Sequence, residues 1–139
     1  MIVERYGCFG GAITQVGVES IAWYRYAGTT DVGGIGIEFE RLALEMGAAQ
    51  RYLDSHCCAI DAEMFKYVAD NLIRESGVVP LLHSLVVEPI IDGETITGII
   101  QESKSGRQAI LAKRVVDASG DATLLIALVL LVKKLLRMR

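Results

Sequence analysis

Glu4 follows two aliphatic residues, Ile2 and Val3, and precedes the glycine-rich stretch Tyr6-Gly7-Cys8-Phe9-Gly10-Gly11. A carboxylate at a strand end accepts two hydrogen bonds in one plane, which is what paired ribose hydroxyls require in a nucleotide-binding βαβ unit. Glycines just beyond it let the main chain pass close to a ligand. A strand end that merely runs into solvent has the same local pattern. A second group lies near the other end of the chain. Ala118-Ser119-Gly120-Asp121 follows Val115-Val116 and opens a helical stretch at Ala122. A glycine at such a turn lets N–H groups face a ligand at a helix N-terminus, where the partial positive charge favours an anion. Asp121 can accept from a sugar-like hydroxyl or cap the helix that follows. The residues alone leave both roles open.

Other reactive residue types are sparse. Three cysteines, two of them adjacent (Cys57 and Cys58), make no disulfide framework and point to a reducing, cytoplasmic setting. A redox role for Cys57-Cys58 competes with ordinary burial as small apolar residues. Cys8 would need a nearby cation to become a reactive thiolate, and Arg5 is the candidate. His83 lies in an apolar extended stretch and reads as a core histidine. His56 reads as a loop residue, an outside candidate for acid–base work. Trp23, Tyr24 and Tyr26 form an aromatic cluster that suits either a substrate-facing surface or packing. With no C-x-x-C pair and two distant histidines, no metal site is expected. No catalytic residue is identified.

The elements that must position these residues follow from periodicity. Residues 1–4 read as the end of a short strand with nothing before it to pair with. Residues 12–32 mix β-branched, aromatic and glycine residues and allow no assignment. From Ile35 to Met46, apolar Ile35, Phe39, Leu42, Ala43 and Met46 recur at helical spacing. Glu38, Glu40, Arg41 and Glu45 fall mostly on the other side, and Gly47 is the stop. A second helix spans Ala62 to Ser76, with Asp61 as N-cap and Gly77 as terminator. Its apolar stripe is Met64, Phe65, Val68, Leu72 and Ile73. Beyond Gly77 the pattern becomes extended. Strands are expected over Val78–Ile91, Thr95–Glu102 and Gln108–Ala118, separated by turns at Asp92-Gly93 and Ser105-Gly106. Pro80 and Pro89 should lie at strand ends or edges.

Composition limits the function further. Fourteen basic against seventeen acidic residues give a net charge of −3, so nothing favours nucleic acid. Glu4 and Arg5 interrupt any N-terminal apolar run, so no secretory signal is read there. Leu124–Val132 is apolar throughout, but a spanning helix needs ~20 such residues. Residues 122–139 are therefore expected to form an apolar helix with a basic end. It would pack as an ordinary terminal helix or contact a membrane surface or a protein partner.

The order of these elements resembles FAD-dependent oxidoreductases of the two-dinucleotide-binding-fold class. The resemblance rests on Val3-Glu4-Arg5-Tyr6-Gly7 with Gly10-Gly11, residues 61–70, residues 80–87, Ser103–Arg107 and Arg114–Ala122, and spans roughly residues 2–122. It implies an α/β fold: a Rossmann-like FAD-binding domain over 1–121, with an antiparallel β-meander crossover at about 87–115. It also implies roles. Glu4 would bind the adenosine ribose of FAD, with Arg5 beside the adenine. Gly10 and Gly11 would let the chain pass the pyrophosphate and flavin. Val86 or Val87 would present backbone to the adenine. Val115–Ala118 would be a sheet strand, and Gly120 and Asp121 would lie near the pyrophosphate or ribityl chain. The implied chemistry is hydride or electron transfer with a small-molecule substrate. The family's first strand and G-x-G-x-x-G turn would fall about 30 residues before Glu4, since its acidic residue follows the fingerprint by ~20. The chain is therefore expected to be an internal, incomplete part of such a domain, with a separate upstream chain able to supply the rest. The alternatives are a remnant or binding module that holds no FAD, and an NAD-binding domain.

Overall fold

The computed structural model describes residues 1–22, 33–52 and 57–127. In chain order its elements are β1 (Ile2–Val3), α1 (Ala12–Val16), β2 (Ser20–Ile21), α2 (Ile35–Glu45), β3 (Ala49–Arg51), β4 (Cys58–Ile60), α3 (Ala62–Glu75), β5 (Pro80–Leu81), β6 (Leu85–Asp92), β7 (Thr95–Ser103) and β8 (Gly106–Leu111). Two compact units form. One is Met1–Ile2 with Tyr6–Pro80; the other is Val3–Arg5 with the chain from Leu81 onward.

The strand expected at the start of the chain finds its partner downstream. Ile2 N–H donates to Val79 C=O and Glu4 N–H to Leu81 C=O, each at 2.9 Å. Both numbers rise together, so β1 and β5 pair in parallel. Parallel and antiparallel pairing thus coexist with helices, giving a mixed α/β chain.

In the first unit, α2 and α3 follow their apolar periods. Asp61 caps α3 as its residue type predicts: Oδ1 accepts from the N–H of Glu63 at 3.0 Å and of Met64 at 2.9 Å. The buried face of α3 is Phe65, Val68 and Ala69, an i, i+3, i+4 set. Met64, expected in that stripe, stays 36% exposed because it lies one residue off the face. Phe65 stacks on Phe39 of α2 with ring centroids 5.6 Å apart. Ile13, Ala43, Ala48, Cys58, Ile60 and Val68 complete this core.

Two positions on α2 depart from the sequence pattern. Ile35, at the helix start, is exposed, whereas Glu40, expected on the polar side, is only 1% exposed. Arg51 of β3 accounts for the second: its guanidinium lies 3.0 Å from Glu40 Oε1. A buried carboxylate is tolerable only when paired, and that partner comes from another element. Residues 12–22, which periodicity left unassigned, hold α1 and β2. The antiparallel sheet β2-β4-β3 was also not anticipated. Its strands have two or three residues each, too few for period-two alternation to register.

The second unit contains the meander. β6, β7 and β8 form an antiparallel sheet in that order, with hairpins at Gly93-Glu94 and Lys104-Ser105. Gly98 is required where β7 meets β8, because a Cβ there would stand 2.4 Å from Ile110 C=O. Pro80 begins β5, and Pro89 lies on the edge strand β6, positions that need no ladder donor. The expected single strand over Val78–Ile91 is divided into β5 and β6, and His83, expected within it, lies exposed between them. The third strand, expected to reach Ala118, ends at Leu111. Val115–Ala118 is not a strand, and Val116 is 85% exposed. β-branched residues favour extended chain, but a strand needs a ladder partner, and none among the described residues reaches this segment.

Residues 123–127 are helical; the rest of the expected C-terminal apolar helix lies outside the described residues, as do His56, Trp23, Tyr24 and Tyr26. Among the described residues no helix is long and apolar enough to cross a membrane, and no group of acidic, histidine and cysteine side chains could hold a metal ion.

The packing predicts a ranking of substitutions. Phe65→Ala should cost about 3–5 kcal/mol through cavity formation, and Asp61→Ala about 1 kcal/mol through the lost cap. Urea unfolding midpoints should follow that order; the reverse order would show that the Phe39–Phe65 core does not hold this unit.

Candidate functional site

Glu4 stands immediately after β1, and both its main-chain polar groups are engaged. Its N–H donates to Leu81 C=O, and its C=O accepts from Ser84 N–H, each at 2.9 Å. The carboxylate therefore leaves a main chain that is hydrogen-bonded on both sides. Arg5 follows in an exposed bend.

Val87 lies on β6 at an irregularity in the ladder. Val86 pairs with Gln101 and Glu88 with Ile100, so Val87 is the extra residue of a β-bulge. A bulged residue drops out of the ladder and can offer its main chain elsewhere. Glu4, Arg5, Val87, Gly120 and Asp121 all belong to the second unit; Gly10 and Gly11 belong to the first.

Gly10 and Gly11 have reasons for being glycine within their own unit. Gly10 has φ 115°, and a Cβ there would lie 2.4 Å from Thr14 Cγ2. Thr14 is held in that place by its hydroxyl, which donates to Phe9 C=O at 2.8 Å. Gly11, with φ 53°, precedes α1.

The richest polar arrangement surrounds Gly120, and its centre is a residue that periodicity and motif did not single out. Asp117 Oδ1 accepts from the Ser119 hydroxyl at 2.6 Å and from Ser119 N–H at 3.1 Å. Its Oδ2 accepts from Leu124 N–H at 3.1 Å and Leu125 N–H at 3.3 Å. Asp121 Oδ1 accepts from the Thr123 hydroxyl at 2.5 Å and from Thr123 N–H at 3.2 Å. The first turn of the 123–127 helix is thus capped by two carboxylates. Asp117 is held below the ordinary carboxylate value of 3.8, chiefly by the Ser119 hydroxyl and then by main-chain N–H groups. Asp121 is also lowered, first by the Thr123 hydroxyl. The signal available in sequence was Asp117 two residues before Ser119, the spacing of an Asx turn.

These carboxylates change what the turn can bind. An N-terminal helix turn attracts an anion, but here the protein's own carboxylates already meet its N–H groups. Phosphate brought to the same place would meet two negative charges. Hydroxyl donors suit the remaining acceptor capacity of the carboxylates. Gly120, with φ 84°, has open space where a Cβ would stand. It borders an open cleft of about 530 Å³, whose walls also include Ile96, Val115, Asp117, Leu124 and Leu125.

The capping arrangement predicts a pH response. A lowered folded-state value means that the cap is fully formed above the ordinary value of 3.8 and is lost as pH falls through the folded-state value. The amide proton shifts of Leu124 and Leu125 should titrate together, with a midpoint below 3.8. Asp117→Asn should abolish that titration. A midpoint at or above the ordinary value would show that Asp117 does not hold the helix start.

Comparison with solved structures places this geometry in a wider setting. The chain is similar to the crystal structure of Thermovibrio ammonificans THI4, with a TM-score of 0.58 and 19% identity, over 91% of this chain and 50% of that one. It spans about half the length of that protein, and at this identity the likeness concerns the fold. A weaker likeness, with TM-score 0.41 and 18% identity over 57% of this chain and 16% of the other, is to the open conformation of a flavocytochrome c3 fumarate reductase. No curated protein matches the sequence. The family model described as FAD dependent oxidoreductase matches residues 1–128. The chain, with its carboxylate-ended first strand, its meander and its Ser-Gly-Asp turn, belongs to the FAD-dependent oxidoreductase family, whose cofactor is FAD.

Proposed function

We propose that this chain forms the FAD-holding part of an oxidoreductase acting on a small molecule. The observation that carries the reading is the main chain of Glu4, held on both its N–H and its C=O at the end of a strand. The acceptor chemistry in the second unit suits the cofactor's non-phosphate portions. Glu4 accepts from the adenosine ribose hydroxyls, and Arg5 lies beside the adenine. Val87 offers its out-of-ladder main chain to the adenine edge. Asp121, with Gly120 leaving room, accepts from a hydroxyl of the ribityl chain. The carboxylates at the 123–127 helix favour that hydroxyl over the pyrophosphate.

When bound, the flavin supplies hydride or electron-pair transfer. The residues of this chain bind and orient it, and no side chain here is assigned to move a proton. Three cysteines, two of them adjacent, make no disulfide framework, which suits a reducing, cytoplasmic setting.

The test is cofactor retention. The purified chain is mixed with FAD, free cofactor is removed, and the visible spectrum is recorded. A retained flavin band is expected. Glu4→Ala should weaken FAD affinity on the order of tenfold to a hundredfold, the effect of losing hydrogen bonds to a charged acceptor. A colourless chain would favour the other reading, a module that holds no FAD by itself. The observation behind that reading is that the chain spans half of the THI4 chain it matches.

A further inference from the structure

His83 adopts φ 52°, a left-handed conformation uncommon in residues other than glycine. It separates β5 from β6, and its side chain is exposed, so core packing does not account for the conformation. The consequence lies one residue on. Ser84, 2% exposed, turns its N–H onto Glu4 C=O at 2.9 Å. Its hydroxyl donates to Leu82 C=O at 3.0 Å and closes the turn. Leu81 C=O, just before the turn, takes the Glu4 N–H. One short turn therefore holds the main chain of Glu4 on both its N–H and its C=O.

We infer that the left-handed turn at His83-Ser84 is a positioning device for the Glu4 carboxylate. Neither residue need touch the ligand. His83 supplies the chain reversal, and Ser84 supplies the clamp. The inference rests on the proposed role of Glu4 in binding the FAD ribose and adds the residues that set that role. A β-branched residue at position 83 would resist the left-handed conformation, and Ser84 N–H would move off Glu4. Glycine would accept the conformation and keep the clamp.

The experiment compares His83→Gly, His83→Val, Glu4→Ala and the double variant His83→Val/Glu4→Ala in FAD affinity, with hydrogen exchange at the Glu4 and Ser84 amides as a second readout. His83→Val should lower affinity about tenfold and speed exchange at both amides, while His83→Gly stays within about twofold of the parent. In the Glu4→Ala background His83→Val should have no further effect on affinity, because the turn acts through the missing carboxylate. A purely structural defect would lower affinity in both backgrounds and would overturn the inference. So would equal affinity of His83→Val and the parent, or a loss in His83→Gly matching that in His83→Val. An unaltered chain that takes up no FAD would instead overturn the role of Glu4, and the inference with it.

Discussion

A strand of two residues cannot hold itself. β1 exists because the N–H groups of Ile2 and of Glu4 just after it reach Val79 and Leu81, far along the chain, in a parallel register. The place of Glu4 follows from that pairing, since its own N–H makes one of those bonds. The turn after β5 then returns through His83 so that Ser84 takes the Glu4 carbonyl. The main-chain polar groups around a candidate ligand-binding carboxylate are thus satisfied by the protein. A carboxylate on a fully bonded main chain loses little freedom when it meets a ligand, which reduces the ordering cost of binding.

The Ser-Gly-Asp turn follows a different logic. A bare helix N-terminus invites phosphate, yet Asp117 and Asp121 meet the N–H groups of residues 123–125. The local charge is then negative, and the pocket beside it is mostly apolar. Such a surface discriminates by charge. Its chemistry suits neutral, hydroxyl-bearing and apolar groups better than anionic ones. The residues alone left an anion site and a hydroxyl-accepting or capping role both open; Asp121 of the motif and Asp117 before it together fill the helix start.

Local chemistry made the two longer helices readable. α2 and α3 lie where apolar spacing and caps place them, because a helix satisfies its own main chain and its boundaries depend on nearby residues. The meander was readable for a similar reason: each hairpin is closed by a short turn with glycine beside it. What failed depended on distant partners. Glu40 is buried with one carboxylate oxygen on Arg51, a partner from another element. Val115–Ala118 has strand-forming residues but no ladder. The strands β2, β3 and β4 are short pieces that become a sheet only through one another.

The sequence by itself determined the family, the boundaries of α2 and α3, the hairpin turns and the residue types available to a cofactor: one carboxylate at a strand end and one Gly-Asp turn. These are properties of short windows, set by backbone preference and side-chain chemistry. Only the tertiary structure decided that β1 pairs with β5 and that Val87 is the bulged residue. It also decided that His83 turns left-handed to bring Ser84 onto Glu4. Each of these is a hydrogen bond, or an omission from a ladder, whose partner is chosen by the path of the chain through space, and no local pattern encodes that path.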